Sequence, residues 1–192
     1  MSKQILKKIL FTALIASTCS TNLLAGERDA YLGIKLGSLD FDRTVFANTS
    51  GIQNTGPYAE FNEVSLIGFE MQWFHHTSSA FVWGFGWDIM FNDGNFQDGG
   101  MLDFDFKLGA QFDALKVYGI LGIGIQSFSD YTAATGPYGG FGITYDLEKS
   151  FALHATYTDR SMTTFVSDYS FDFSDEQEYE SSGLLLGVTY KY

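Results

Sequence analysis

The sequence predicts an all-β protein, an eight-stranded antiparallel transmembrane β-barrel wound as an up-and-down meander. Three observations point that way: a side-chain alternation that recurs along the chain, an export signal, and a composition with no membrane-crossing helix. The alternation is plainest in residues 81–91. Every odd position there, Phe81, Trp83, Phe85, Trp87, Ile89 and Phe91, is large and apolar or aromatic. The even positions, Val82, Gly84, Gly86, Asp88 and Met90, are smaller or polar. A strand sends successive side chains to opposite faces, so the run has one greasy face and one small or charged face. Wound as a helix, it would show rings all round the axis, weakened by two glycines. Similar faces recur and few elements remain to cover them. The greasy faces therefore meet lipid, and the small faces line a closed barrel.

The 192 residues read as one domain behind an export signal. Lys3, Lys7 and Lys8 precede the apolar run 9–15, and Leu23-Leu24-Ala25 offers a small-residue cleavage point. Residues 1–25 thus read as a signal peptide and 26–192 as the barrel domain. A lipoprotein beginning at Cys19 is the rival, although Ala16-Ser17-Thr18 departs from the usual Leu-Ala-Gly-type approach. Cleavage after Ala25 removes the only cysteine, and with it any disulfide or thiol chemistry. The signal peptide holds three of the 11 basic residues and none of the 23 acidic ones, which leaves 8 against 23 and a net charge of −15. That excess excludes nucleic acid as a partner. No later segment is apolar enough over about 18 residues to cross as a helix. Aromatic-rich (19 Phe, 11 Tyr, 3 Trp) and holding just 2 Pro, the exported chain has the composition of an outer-membrane barrel.

Taken in order, the first strand is 30–37, with Leu32, Ile34 and Leu36 opposing Tyr31, Gly33, Lys35 and Gly37. A polar loop over 43–57 follows. The second strand, 63–74, turns Ile67, Phe69, Met71 and Trp73 outward and Gly68, Glu70 and Gln72 inward. A short turn, 75–79, leads to the strand 81–91 and then to a glycine-rich loop, 92–100. Strand 101–112 alternates most strictly, with Asp103, Asp105 and Lys107 inward. After a turn at 113–115, strand 116–128 carries Val117, Leu121, Ile123 and Ile125 outward, and a loop reaches Gly136-Pro137. The sixth strand sets Phe141, Ile143, Tyr145 and Leu147 against Gly140, Gly142, Thr144 and Asp146. Turn 148–150 opens the seventh, in which His154 and Thr156 face inward. A loop over 159–182 precedes the last strand, with Leu184, Leu186, Val188, Tyr190 and Tyr192 outward and Lys191 inward. Three short connections alternate with four long ones, as in barrels with periplasmic turns and external loops.

Tyr31-Leu32-Gly33-Ile34-Lys35-Leu36-Gly37 and the run from Gly139 to Leu147 resemble strands of the small eight-stranded outer-membrane barrels, such as the OmpA membrane domain and the OmpX group. The closing Leu-Gly-Val-Thr-Tyr-Lys-Tyr is similar to the terminal signal read by the barrel-insertion machinery, with Val188, Tyr190 and Tyr192 as its outward residues and Tyr in place of the usual Phe or Trp. The resemblance covers 28–192. It implies partners among outer-membrane lipids, lipopolysaccharide and the insertion machinery, and it places an interior lysine where Lys35 stands.

The inward list is Lys35, Glu70, Asp88, Asp103, Asp105, Lys107, Asp146, His154 and Lys191. An interior as narrow as that of eight strands is filled by side chains, and charges inside it must pair. A salt-bridged plug follows, with Lys35 against carboxylates among Glu70, Asp88 and Asp105. The alternative is a small cation-favouring pore, given the surplus of carboxylates. A lipid-modifying barrel enzyme is a third reading, because His154, Thr156 and Asp159 resemble in outline the His-x-Ser pair and acid of lipid A deacylases. His75-His76 beside Ser78 and Ser79 has no third ligand or orienting acid at a diagnostic spacing, so neither a metal nor a catalytic site is expected, and no cofactor. The 159–182 loop is acidic, and within it Asp168, Tyr169, Phe171, Asp172 and Phe173 carry a strand-like alternation; the stretch reads either as a solvated loop holding divalent cations at the lipopolysaccharide surface or as a ribbon that recruits a surface protein partner. The expected function is non-enzymatic, structural or in surface interaction through the external loops.

Overall fold

The computed structural model describes residues 28–49, 52–54, 62–77, 80–92, 99–127, 133–147, 150–167 and 174–192. The expected signal peptide, Cys19, and all five loop residues from Asp168 to Phe173 lie outside them. The elements are β1 (Arg28–Thr49), β2 (Ile52–Asn54), β3 (Asn62–His76), β4 (Phe81–Asn92), β5 (Gly100–Phe112), β6 (Leu115–Ser127), β7 (Ala133–Asp146), β8 (Phe151–Ser167) and β9 (Ser174–Lys191). Each long strand pairs antiparallel with the next, and β9 pairs back onto β1 from Tyr31↔Lys191 to Phe46↔Glu176. That last ladder closes the sheet into an eight-stranded barrel. β2 is an added ribbon on the far end of β1, at Ala47↔Asn54. No helix among the described residues is long and apolar enough to cross a membrane.

The alternation is realised as expected. Leu32, Ile34 and Leu36 are 41–53% exposed, while Lys35 between them is 4% exposed. Leu121, Ile123, Phe141, Leu184, Leu186 and Val188 continue the apolar exterior around the wall. An apolar face of that extent has no water-compatible role and matches hydrocarbon. The barrel is transmembrane.

Beyond this belt the polarity of the alternation reverses. Outward residues become Asp40, Glu63, Ser65, Ser161, Glu178 and Glu180, all exposed. Inward residues become Leu39, Phe41, Val64, Leu66, Met162 and Tyr179, all buried. The pleat is unchanged, but the solvent outside the wall changes from lipid to water, so the enclosed side becomes the apolar one.

This reversal corrects three sequence-based boundaries, because the strands run on past the end of the lipid pattern. The 43–57 loop begins instead with β1 continuing to Thr49. Most of the 159–182 loop is a paired ribbon, its ladder running from Asp159↔Ser182 to Ser167↔Ser174. Gly136 and Pro137 belong to β7, where they pair with Gly124 and Ile123 of β6. Toward β8 the ladder passes from Thr135↔Thr163 to Tyr138↔Arg160 without them, as a residue lacking an N–H requires at one edge. His75 and His76 end β3 rather than forming the turn.

The lipid assignment of the wall makes a graded prediction. Leu121→Arg, in mid-wall opposite Phe106, should lower unfolding stability in phospholipid vesicles by about 2–4 kcal/mol, whereas Tyr190→Arg at the rim should cost about 0–1. Equal costs in urea titrations would contradict the placement.

Candidate functional site

The enclosed side of the wall carries the chain's concentration of charge, arranged in layers. At the short-turn end, Asp29 of β1 and Asp146 of β7 face Lys116 of β6 and Lys191 of β9. Lys191 Nζ lies 2.8 Å from Asp29 Oδ1 and 3.1 Å from Asp146 Oδ2. Lys116 Nζ lies 3.0 Å from a carboxylate oxygen of each. The Tyr31 hydroxyl donates to Asp146 Oδ1 at 2.9 Å and accepts from Lys116 Nζ at 2.7 Å. His76 Nε2 reaches Asp29 Oδ2 at 2.9 Å. This cluster ties the first and last barrel strands to the opposite wall. It borders a vestibule of 520 Å³ lined by Asp29, His76, Gln111, Asp113 and Lys191, among others.

Next comes a layer of apolar and aromatic groups, Tyr31, Phe74, Val82, Tyr118, Ile120, Tyr138 and Ala152. Phe74 bridges it, 6.1 Å from the Tyr31 ring and 5.1 Å from the Tyr118 ring.

The middle layer is ionic. Lys35 Nζ sits 2.5 Å from Asp88 Oδ2 and 3.4 Å from Glu70 Oε2. Glu70 also accepts from Gln72 Nε2 at 2.9 Å and meets the His154 imidazole through its other oxygen. Lys107 pairs with Asp105, whose second oxygen accepts from the Tyr138 hydroxyl at 3.3 Å. Arg160 grips Asp103 through two parallel contacts of 2.7 Å and lies over the Tyr138 ring, 4.4 Å from its centroid. Such a two-point grip is the strong form of the carboxylate–guanidinium contact. Inward glycines leave the space for this layer. A Cβ on Gly187 would overlap the His154 imidazole, and one on Gly86 would overlap Lys107 Nζ and Asp105.

Above it the lumen turns apolar again, with Leu39, Phe41, Val64, Leu66, Met90, Met101 and Leu185 packed as one cluster.

The structure therefore brings together Lys35, Glu70, Asp88 and His154, pairs Asp105 with Lys107, and gathers Asp146 and Lys191 at the mouth. Asp105 takes Lys107 as its partner instead of joining Lys35. Asp29, Lys116 and Arg160 were absent from the sequence-derived list. Lys116 was legible as the inward neighbour of Val117, whereas Arg160 stood in a presumed loop. His154 and Thr156 face the lumen while Asp159 is exposed on the outer face, so these three assemble no hydrolytic triad. His75 stacks on Trp83 outside the wall, and no metal-binding group occurs among the described residues. Val188, Tyr190 and Tyr192 lie on the outer face of the closing strand, each about half exposed.

No protein-family profile matches this chain, and no curated protein sequence does. Solved structures do. The outer membrane protein OprG of Pseudomonas aeruginosa aligns over 87% of this chain and 98% of its own, with 14% identity and a TM-score of 0.54. The outer membrane protein AlkL, solved in DMPC bilayers, aligns over 90% and 94%, with 13% identity and a TM-score of 0.50. The chain has the fold of the small outer-membrane β-barrels. At these identities the likeness speaks for the fold alone.

Because Lys35 is surrounded by Asp88 and Glu70, its removal strands buried charge. Lys35→Met should cost about 3–5 kcal/mol in reversible unfolding, and adding Asp88→Leu should restore part of the loss. A double variant as unstable as the sum of the two single variants would contradict the pairing.

Proposed function

We propose that the mature chain, beginning at Gly26, is a non-enzymatic outer-membrane barrel. In this reading its lumen is a closed structural plug, and its long-connection end presents a β-ribbon for surface interaction. The observation that carries the interaction role is the unequal height of the wall. The β8–β9 ladder continues to Ser167↔Ser174, while β7 pairs with β8 no farther than Ala134↔Thr164. On the other side β1 pairs with β9 to Phe46↔Glu176, while its ladder to β3 ends at Phe41↔Asn62. β1 is 22 residues long, about twice the 9–11 needed to span a bilayer. Among the described residues, the blade of β8, β9, β1 and β2 thus outruns its neighbours, and 165–167 of β8 and 42–46 of β1 have no ladder on their outer sides. Unpaired N–H and C=O groups along such an edge are a template for strand addition by another protein. In the sequence, Tyr169, Phe171 and Phe173 lie between β8 and β9, which makes them the residues of choice for partner contact.

The plug reading draws on the paired charges of the middle layer and on the apolar cluster above it. An open cation pathway would need carboxylates facing water, and here each described lumen carboxylate faces a cation. The short turns, Arg28 and Lys191 share one end, which supports the reading that this end faces the periplasm and the blade the cell surface. Outer-membrane lipids and lipopolysaccharide then surround the belt, and the insertion machinery reads Val188, Tyr190 and Tyr192.

The mature chain should fractionate with the outer membrane and migrate differently on gels before and after boiling. Serine at Tyr169, Phe171 and Phe173 together should preserve that mobility shift and weaken binding of cells to a surface partner several-fold. Full binding by this triple variant would overturn the assignment of the blade.

A further inference from the structure

Arg28, His75 and Trp83 are successive cross-strand neighbours on one rung at the short-turn end, through Arg28↔His75 and His75↔Trp83. By the strand alternation they lie on the outer face, because the adjacent Asp29, His76 and Val82 line the vestibule within. The His75 and Trp83 rings are stacked, with centroids 4.3 Å apart and planes 11° from parallel. Around the same rim Phe81, Phe112, Tyr145, Phe151, Tyr190 and Tyr192 are 45–60% exposed on the outer face. An aromatic girdle of this kind marks the level where hydrocarbon gives way to lipid headgroups. Arg28 stands at that level.

Among the described strand residues of this rim, Arg28 is the one charged side chain on the outer face. Its Nε and Nη2 are buried and have no hydrogen-bond partner among the described residues. A guanidinium keeps its charge under all ordinary conditions, and leaving its donors unmatched beside an apolar surface is costly. Among the described residues Asp29 and Asp146 do not serve it, because both face inward and are held by Lys116 and Lys191. Both nitrogens are closed off in this conformation, so an acceptor from outside meets them once the side chain turns toward the headgroups, where the available oxyanion is a phosphodiester, whose two oxygens suit the guanidinium fork.

We propose that Arg28, flanked by the His75–Trp83 stack, binds the phosphate of a glycerophospholipid in the leaflet at the short-turn end. The site rests on the membrane-spanning reading of the wall and adds to it a specific lipid contact. It gives the start of β1, next to the closing seam, an anchor in the headgroup layer.

The test is a carbon–phosphorus dipolar recoupling measurement on the mature chain, labelled at the arginine guanidinium carbon, in phosphatidylglycerol and phosphatidylethanolamine bilayers. The chain has three arginines, Arg28, Arg43 and Arg160, so the signal can be assigned by substitution. Phosphorus should dephase an arginine carbon in the wild type and in Arg43→Lys, and the effect should fall to background in Arg28→Lys. Arg28→Gln replaces that variant if lysine impairs folding. The same chain in detergent with inorganic phosphate should show no dephasing, and equal dephasing there would reassign the site to free phosphate and overturn the lipid proposal. Persistent dephasing in the Arg28 variants, or none in a wild type that still shows the unboiled gel shift, would also overturn it. Loss of the gel shift itself would instead count against the membrane reading, which keeps the two failures distinguishable.

Discussion

Everything in this molecule depends on the ladder between β1 and β9. In hydrocarbon a backbone N–H or C=O without a partner costs several kcal/mol, and an open sheet would expose two rows of them. Pairing Tyr31 with Lys191 and onward up the seam removes both edges within the membrane. Closure then commits one face of every strand to lipid and the other to an interior that eight strands make narrow. Side chains fill much of that interior, so charges on the inner face need partners at contact distance. Asp29, Lys116, Asp146 and Lys191 meet this demand at the mouth, and the same cluster staples β1 and β9 to the far wall. The ion pairs follow from closure.

The same wall serves two solvents. Within the belt it is apolar outside and ionic inside. Above Leu36 and Leu184 it is polar outside and apolar inside, like a water-soluble barrel with its own small core. The cluster around Leu39, Phe41 and Met90 lies directly over the ionic layer, shielding those pairs from water at the long-connection end. Two unlike layers therefore lie across the lumen, and the proposed plug rests on them. Methionine is prominent in the upper one, with Met90 and Met101 opposite each other on β4 and β5. Its flexible thioether fills irregular space at the transition.

The barrel was legible wherever lipid dictated the pattern. Residues 81–91 and 101–112 show it cleanly, and parity alone placed Lys35, Glu70 and Asp88 on one inner surface. Legibility failed where the outer solvent changed. Ser161, Glu178 and Glu180 look like loop residues when apolar outward positions are the criterion, although Met162 and Tyr179 continue the alternation in inverted phase. Arg160 was lost for that reason: it follows Asp159 in a stretch read as solvated, yet its own parity matches Thr156 and Thr158 inside the barrel. Which carboxylate meets which cation was beyond the sequence, since it depends on the register between strands. Lys107 stands nearer Asp105 than Lys35 does because both lie on β5, two residues apart.

A closed, ion-paired lumen capped by an apolar layer is the central claim, and it separates a structural or adhesive barrel from a pore. The most direct measurement is conductance of the refolded mature chain across a planar phospholipid bilayer under a salt gradient. The account predicts a quiet membrane after insertion, with no unitary steps above those of protein-free bilayers. Regular cation-selective steps, abolished by neutralising Asp88 or Asp105, would mean that the carboxylates face a continuous aqueous path and that the lumen is open.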